Sequence, residues 1–265
     1  MAFAVLGEAH ASSAEEVKGA VADISAGSVL PAHREDLELF TADGLRLVGE
    51  LATPIDVAPV ATIICLHPLT THGGMMDSHV LRKMAWRLPA LAGIAVLRFN
   101  MRGAVSARGA SEGAYDEGRG EAFDFAAALA EVQRRGLPDP WIVGWSFGTA
   151  VALRHGNVDP VRGVVLLSPP LRGPEIDALP SWVNSLRPMT CLIPENDDYL
   201  KPDEARAGFA AVPHAEVIAV EGAGHLWVGE RFVRVVLDEI VQRVLPGHAP
   251  LPVTWDGPME KFSEF

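Results

Sequence analysis

Gly144-Trp145-Ser146-Phe147-Gly148 fits the pattern G-x-S-x-G, and it follows the apolar run 141–143 and leads into the helix-like segment FGTAVALRH. A sharp strand-to-helix turn of this kind lifts the serine hydroxyl above the end of a sheet. It also sets the hydroxyl at a helix N-terminus, which favours developing negative charge. The hydroxyl is a poor nucleophile until a base takes its proton, and the base in turn needs a carboxylate to fix its tautomer. His225, in Glu221-Gly222-Ala223-Gly224-His225, falls between the last expected strand and the last expected helix. His214 precedes that strand and belongs at the opposite edge of the sheet. The acid should follow the strand 190–193, where the chain offers Glu195, Asn196, Asp197 and Asp198. A carboxylate leaving that strand by a short turn points back over the carboxyl edge, where ligands bind in such sheets. Asp197 is the expected acid, with Asp198 in reserve.

A carbonyl attacked by Ser146 turns into an oxyanion that needs two N–H donors. Phe147, next after the nucleophile, supplies one, and the loop after the third strand supplies the other. That loop is His67-Pro68-Leu69-Thr70-Thr71-His72-Gly73-Gly74. Pro68 has no N–H, so Leu69 is the expected second donor and Thr70 the reserve. His67, Met75, Trp145 and Trp182 are candidates to line the substrate pocket.

The elements that must hold these groups follow from pattern. Residues 37–54 alternate around Ala42-Asp43-Gly44, a hairpin signal. Residues 59–67 form a continuous apolar run, as in a central strand covered on both faces. Strands are expected at 94–99, 141–145, 161–167, 190–193 and 215–220. Helices are expected at 79–91, 121–135, 147–155, 202–211 and 226–245. A hairpin followed by strand–helix repeats predicts an α/β class: a mostly parallel sheet with helices on both faces. Residues 103–120 read as a long surface loop. Only residues 169–188 separate the sixth strand from the seventh, room for a short helix around 179–186 and not for a lid domain. The site should therefore be open, with Trp182 as a wall.

His67-Pro68 with Gly73-Gly74, LRFNMRG at 97–103, Glu121 with Asp124, and GWSFG together resemble the small, largely bacterial α/β-hydrolases with the pattern HPHP–GG, RFN-RG, G-S-F-G. The likeness covers about residues 67–148. The family's second HP is replaced here by Leu69-Thr70, and RGAVS at 102–106 lacks the family's usual glycine. The resemblance implies the α/β-hydrolase fold, an eight-stranded sheet whose second strand is antiparallel, and a Ser-His-Asp hydrolase of esters, thioesters or related acyl compounds. No cofactor is implied. A thioesterase or amidase would use the same residues, and a non-catalytic hydrolase-like protein would keep the fold to bind a ligand.

Composition limits the alternatives. The 265 residues are 49% hydrophobic and 21% charged, enough for one large core between an N-terminal extension (1–34) and a Pro-rich tail (246–265) flanking the domain 35–245. The net charge of −12 disfavours nucleic acid and anionic membranes as partners, since both need a basic face. The partner expected is a small acyl compound. No apolar run approaches the ~20 residues of a membrane span. The first basic residue is Lys18 and the first apolar stretch stops at Gly7, which does not fit a signal peptide, so the expected location is cytoplasmic. Ser13 and Glu16 resemble a capping box that would start a short helix. In the tail, Trp255, Phe262 and Phe265 suggest docking onto the body or onto a second subunit, a route to a homo-oligomer.

Cys65 and Cys191 lie in apolar runs and read as buried thiols. His67, His72, His79 and Asp77 match no metal-site spacing, so no metal is expected. Arg98, Asn100 and Arg102 leave the fourth strand together, and such residues more often pin a loop than bind a substrate carboxylate.

Overall fold

The structure, a computed structural model, describes residues 21–262. Its frame is an eight-stranded sheet made of β1 (His33–Phe40), β2 (Arg46–Thr53), β3 (Ala61–Leu66), β4 (Ile94–Phe99), β5 (Pro140–Trp145), β6 (Gly163–Leu167), β7 (Met189–Asn196) and β8 (Ala215–Gly224). The spatial order is β1-β2-β4-β3-β5-β6-β7-β8. β2 runs antiparallel to both β1 and β4, and the pairs from β4 to β8 are parallel. The β1–β2 turn forms where Gly44 takes φ 87° and the Thr41 hydroxyl accepts the Leu45 N–H.

Strands β3 to β6 are buried along their whole length, which is why they read as unbroken apolar runs. Alternate residues still go to different cores. Ile64 and Leu66 pack with α2 (Glu121–Arg134), α3 (Phe147–His155), α4 (Gly173–Val183) and α5 (Pro202–Phe209). Ile63 and Cys65 pack on the opposite face with α1 (His79–Ala92) and α6 (Glu230–Val244). Cys65 and Cys191 are buried in different clusters, and burial pushes the Cys65 thiol up to about 12. The chain leaves β3 for β4 on one side and later returns to β5 on the other. The carboxyl ends of β3 and β5 therefore flank a switch point, where a crevice opens in sheets of this kind.

Three segments depart from the sequence reading. α6 begins at Glu230, because 226–229 form a turn in which Trp227 and Gly229 adopt φ 54° and 115°. α4 starts at Gly173, six residues before the expected helix, because Pro174 suits its first turn. Trp182 is not a wall of the site: it is fully buried between α3 and α4, and its indole N–H donates to the Leu153 carbonyl at 2.8 Å. A large apolar ring on a short helix gains more from that core than from a rim.

Segments near the two ends of the described residues meet. Thr254–Trp255 pairs antiparallel with Ala22–Asp23, and Glu260–Lys261 with Ser28–Val29. The Phe262 ring lies 5.1 Å from that of Trp86 on α1. The tail thus packs on the body of its own chain, beside residues expected to form an N-terminal extension. The helix expected after Ser13, and Phe265, lie outside the described residues. Among the described residues no helix is long and apolar enough to cross a membrane.

Trp182→Ala should lower the unfolding free energy by about 3–5 kcal/mol, the usual cost of emptying a buried aromatic position. Urea denaturation at pH 7 measures it. A loss below about 1 kcal/mol would mean that the ring is not part of the core.

Candidate active site

The turn between β5 and α3 is closed by contact. A Cβ on Gly144 would meet the Gly148 carbonyl oxygen at 2.6 Å, and one on Gly148 would meet the Leu66 carbonyl oxygen at 2.1 Å. Only glycine lets the helix start pack this tightly on the end of β3. Between them Ser146 is held at φ 52°, ψ −116°, a strained conformation for a residue with a side chain. Its N–H donates to Leu167 O at 2.8 Å, and its carbonyl accepts the Thr149 hydroxyl at 2.6 Å.

Ser146 Oγ lies 2.9 Å from His225 Nε2. His225 Nδ1 lies 2.9 and 3.1 Å from the two oxygens of Asp197. Nδ1 carries the proton that faces the carboxylate, which leaves Nε2 free to accept the serine proton. Asp197 follows β7, is buried, and also accepts the Tyr199 N–H at 2.8 Å. Burial alone would raise its carboxyl, but hydrogen bonds from His225 and the Tyr199 amide outweigh it and hold the group below its ordinary value. Asp198, the reserve, is exposed.

The backbone of His225 is fixed independently of its ring. Its carbonyl accepts from the Trp145 indole at 3.2 Å and from the Ser168 hydroxyl at 3.1 Å. Ser168 is buried at φ 49°, just past β6. His79 Nε2 lies 2.7 Å from the Leu226 carbonyl, and its ring stands edge-on to Trp145 at 5.4 Å. Trp145 is therefore not a pocket residue: only 2% of it is exposed, and it tethers the histidine loop from below. The roles of Ser168 and His79 escaped the sequence reading. The one available sign was a serine at the end of the strand beside the one that leads to Ser146.

The N–H groups of Leu69 and Phe147 have no acceptor among the described residues. Leu69 opens the 3₁₀ turn Thr70–His72, and its carbonyl accepts the His72 and Gly74 N–H groups. A Cβ on Gly74 would meet the Pro68 carbonyl oxygen at 2.0 Å, so the loop closes only with glycine there. The Thr70 hydroxyl is buried without a partner among the described residues. His67 lies beneath this loop and not in a pocket. It is fully buried, with Nδ1 donating to Pro68 O at 2.7 Å and Nε2 accepting the Met101 N–H at 2.9 Å. Met75 is half-buried beyond the glycine pair, with its N–H on the Ser78 hydroxyl.

Arg98, Asn100 and Arg102 all pin loops. Arg98 pairs with Glu50 and Asp77, Arg102 with Asp43 and Asp124, and Asn100 holds Met76 N–H and Ser106. Asp77 is thus engaged by Arg98, His79 by Leu226 and His72 by Thr71, so these side chains do not converge. Among the described residues no three His, Cys, Asp or Glu side chains are placed to hold a metal ion.

The chain matches the model of the alpha/beta hydrolase family over residues 63–201. A 117-residue stretch is 33% identical to an uncharacterized protein of Rickettsia prowazekii; it is 43% of this chain and 46% of that relative, so the match spans about half the relative's length. An α/β serine hydrolase homologue from Coxiella burnetii superposes with a TM-score of 0.66 at 25% identity, over 80% of this chain and 97% of that one. A lidless α/β serine hydrolase from Xanthomonas campestris gives 0.65 at 24% identity, over 83% and 98%.

His67 carries a pH dependence. Burial holds its imidazole down at about 4, from an ordinary 6.5, although the Pro68 hydrogen bond pulls the other way. The unfolded chain takes up this proton first as pH falls. The contribution to stability is therefore complete above pH 6.5 and is lost between 6.5 and 4, about 3 kcal/mol in all. Between pH 7.5 and 5, His67→Gln should lose about 2 kcal/mol less than the wild type in urea titrations. Parallel losses in the two proteins would show that this histidine is not the titrating group.

Proposed function

Since the chain belongs to the alpha/beta hydrolase family, we propose that it is a serine hydrolase cleaving carboxylic esters through Ser146, His225 and Asp197. The observation that carries this reading is the continuous hydrogen-bonded line from Asp197 through both nitrogens of His225 to Ser146 Oγ.

In this mechanism His225 Nε2 takes the hydroxyl proton as Ser146 Oγ bonds to the acyl carbon. Asp197 stabilises the imidazolium that forms and keeps the ring in place. The carbonyl oxygen becomes an oxyanion, held by the two free N–H groups of Phe147 and Leu69. On collapse, the bond to the leaving oxygen breaks and His225 gives it the proton, leaving an acyl-serine. Water then adds by the same route, releasing the carboxylic acid and restoring Ser146. Every group needed is a side chain or an amide of this chain. The short α4 in place of a lid domain, and the exposed Tyr199, Leu226 and Val228 near His225, favour a small acyl group at an open site over a long lipid chain.

The test is labelling with a fluorophosphonate followed by peptide mapping. The adduct should form on Ser146 in the wild type and be lost in His225→Ala. Asp197→Asn should lower kcat on an activated aryl ester about 10⁴-fold, as in other serine triads, whereas Asp198→Asn should act within about threefold. No adduct in the wild type would favour a ligand-binding protein with a hydrolase frame.

Ser168 serves as a positioning residue. Ser168→Ala removes one of the two donors on the His225 carbonyl and should lower kcat about three- to tenfold with little change in KM, the worth of one ordinary hydrogen bond. A KM effect of the same size, with kcat retained, would count against a role through His225.

A further inference from the structure

The segment after β6 passes beside the nucleophile, because Leu167 pairs in register with Trp145. Leu171 is buried, at φ 45°, with its Cδ2 against Gly208 of α5. The N–H of the next residue, Arg172, donates to Glu175 Oε2 at 2.5 Å. The backbone of Arg172 is thus fixed while its side chain is exposed. The guanidinium carbon lies 5.9 Å from the centre of the Tyr199 ring, and that ring lies 4.4 Å from the His225 imidazole. On the other side stands Tyr115, whose ring is 5.1 Å from that of Phe147. Burial pushes the Tyr115 phenol up, Glu121 and Glu117 add to this, and the charge of Arg172 pulls it back.

Arg172 is a cation left open in a chain of net charge −12. Among the described residues it has no carboxylate within ion-pair distance, and its guanidinium donates no hydrogen bond. Three acids near Tyr115 already accept from other donors. Glu175 accepts the Arg172 amide, Glu117 pairs with Arg119, and Glu121 accepts the Asp116 and Gly118 N–H groups. The five N–H donors of the guanidinium therefore point to no partner of the chain, while the Tyr199 face restrains the group beside the catalytic histidine. A fork of this kind matches a carboxylate or another flat or tetrahedral anion.

We propose that Arg172 is a specificity-determining residue that binds an anionic group on the substrate, so that the preferred esters are acidic ones. This rests on the serine hydrolase reading above. The anion can belong to the acyl part, as in a monoester of a short dicarboxylic acid, or to the leaving alcohol.

Paired substrates separate these cases. On the acyl side, 4-nitrophenyl hydrogen glutarate is compared with 4-nitrophenyl butyrate. On the alcohol side, 4-carboxyphenyl butyrate is compared with 4-carbamoylphenyl butyrate. The wild type should favour the acidic member of one pair by about tenfold in kcat/KM, mostly through KM, and 0.5 M NaCl should shrink the preference by screening an exposed cation. Arg172→Gln should bring the ratio close to one, Arg172→Glu should reverse it, and Arg172→Lys should keep part of it. Each ratio compares two esters on the same variant, so general damage to the fold cancels. No preference in the wild type, or one that survives in Arg172→Gln, overturns the proposal. Failure to form the Ser146 adduct, or to turn over any of the four esters, would instead overturn the hydrolase reading on which it stands.

Discussion

The approach of Gly148 to the end of β3 is the constraint from which the site follows. With a carbonyl where a side chain would otherwise stand, the start of α3 sits directly on Leu66, and the backbone must turn sharply enough to hold Ser146 at positive φ. The same closeness brings Phe147, next to Gly148, to the start of the loop that leaves β3 and carries the Leu69 amide. Strain of this sort, about 1–3 kcal/mol at one residue, persists because buried strands on either side leave the turn no room to relax.

A second layer keeps the crevice in shape. His67 joins the loop after β3 to the segment after β4 through both ring nitrogens, and it does so only while neutral. Trp145 and Ser168 reach from neighbouring strands to one carbonyl, that of His225. The loop bearing His225 is thus held at its backbone by the strand ends that also frame Ser146. Geometry at the serine and geometry at the histidine are parts of one rigid edge of the sheet.

The bounds of α3 and β4 were legible to the residue, because abrupt changes from apolar run to Gly, Asn or polar residue coincide with real ends. The antiparallel hairpin and the order of elements were equally plain. What pattern does not carry is which side of a loop a side chain takes. His67 and Trp145 sit at the lip of the crevice in sequence and beneath it in space, where each finds the partners its ring needs. Leu226, Trp227 and Val228 look like the first turn of a helix, yet Trp227 is buried at positive φ and the helix waits for Glu230. Asp197 and Asp198 differ by one position, and only the turn after β7 decides which is buried against His225.

Two short pairings, 22–23 with 254–255 and 28–29 with 260–261, set an order on the birth of the molecule. A chain made from its N-terminus contains all eight strands of the sheet before residues 254–261 exist. During that interval the segment before β1 has only part of its final neighbours: Arg87 and Arg234, which bind the Ser25 and Ile24 carbonyls, are already in place, whereas the hydrogen bonds from the tail are not. Both pairings span more than two hundred residues, the kind of contact that is slow to close, and they join the segment before β1 to chain made after the whole sheet.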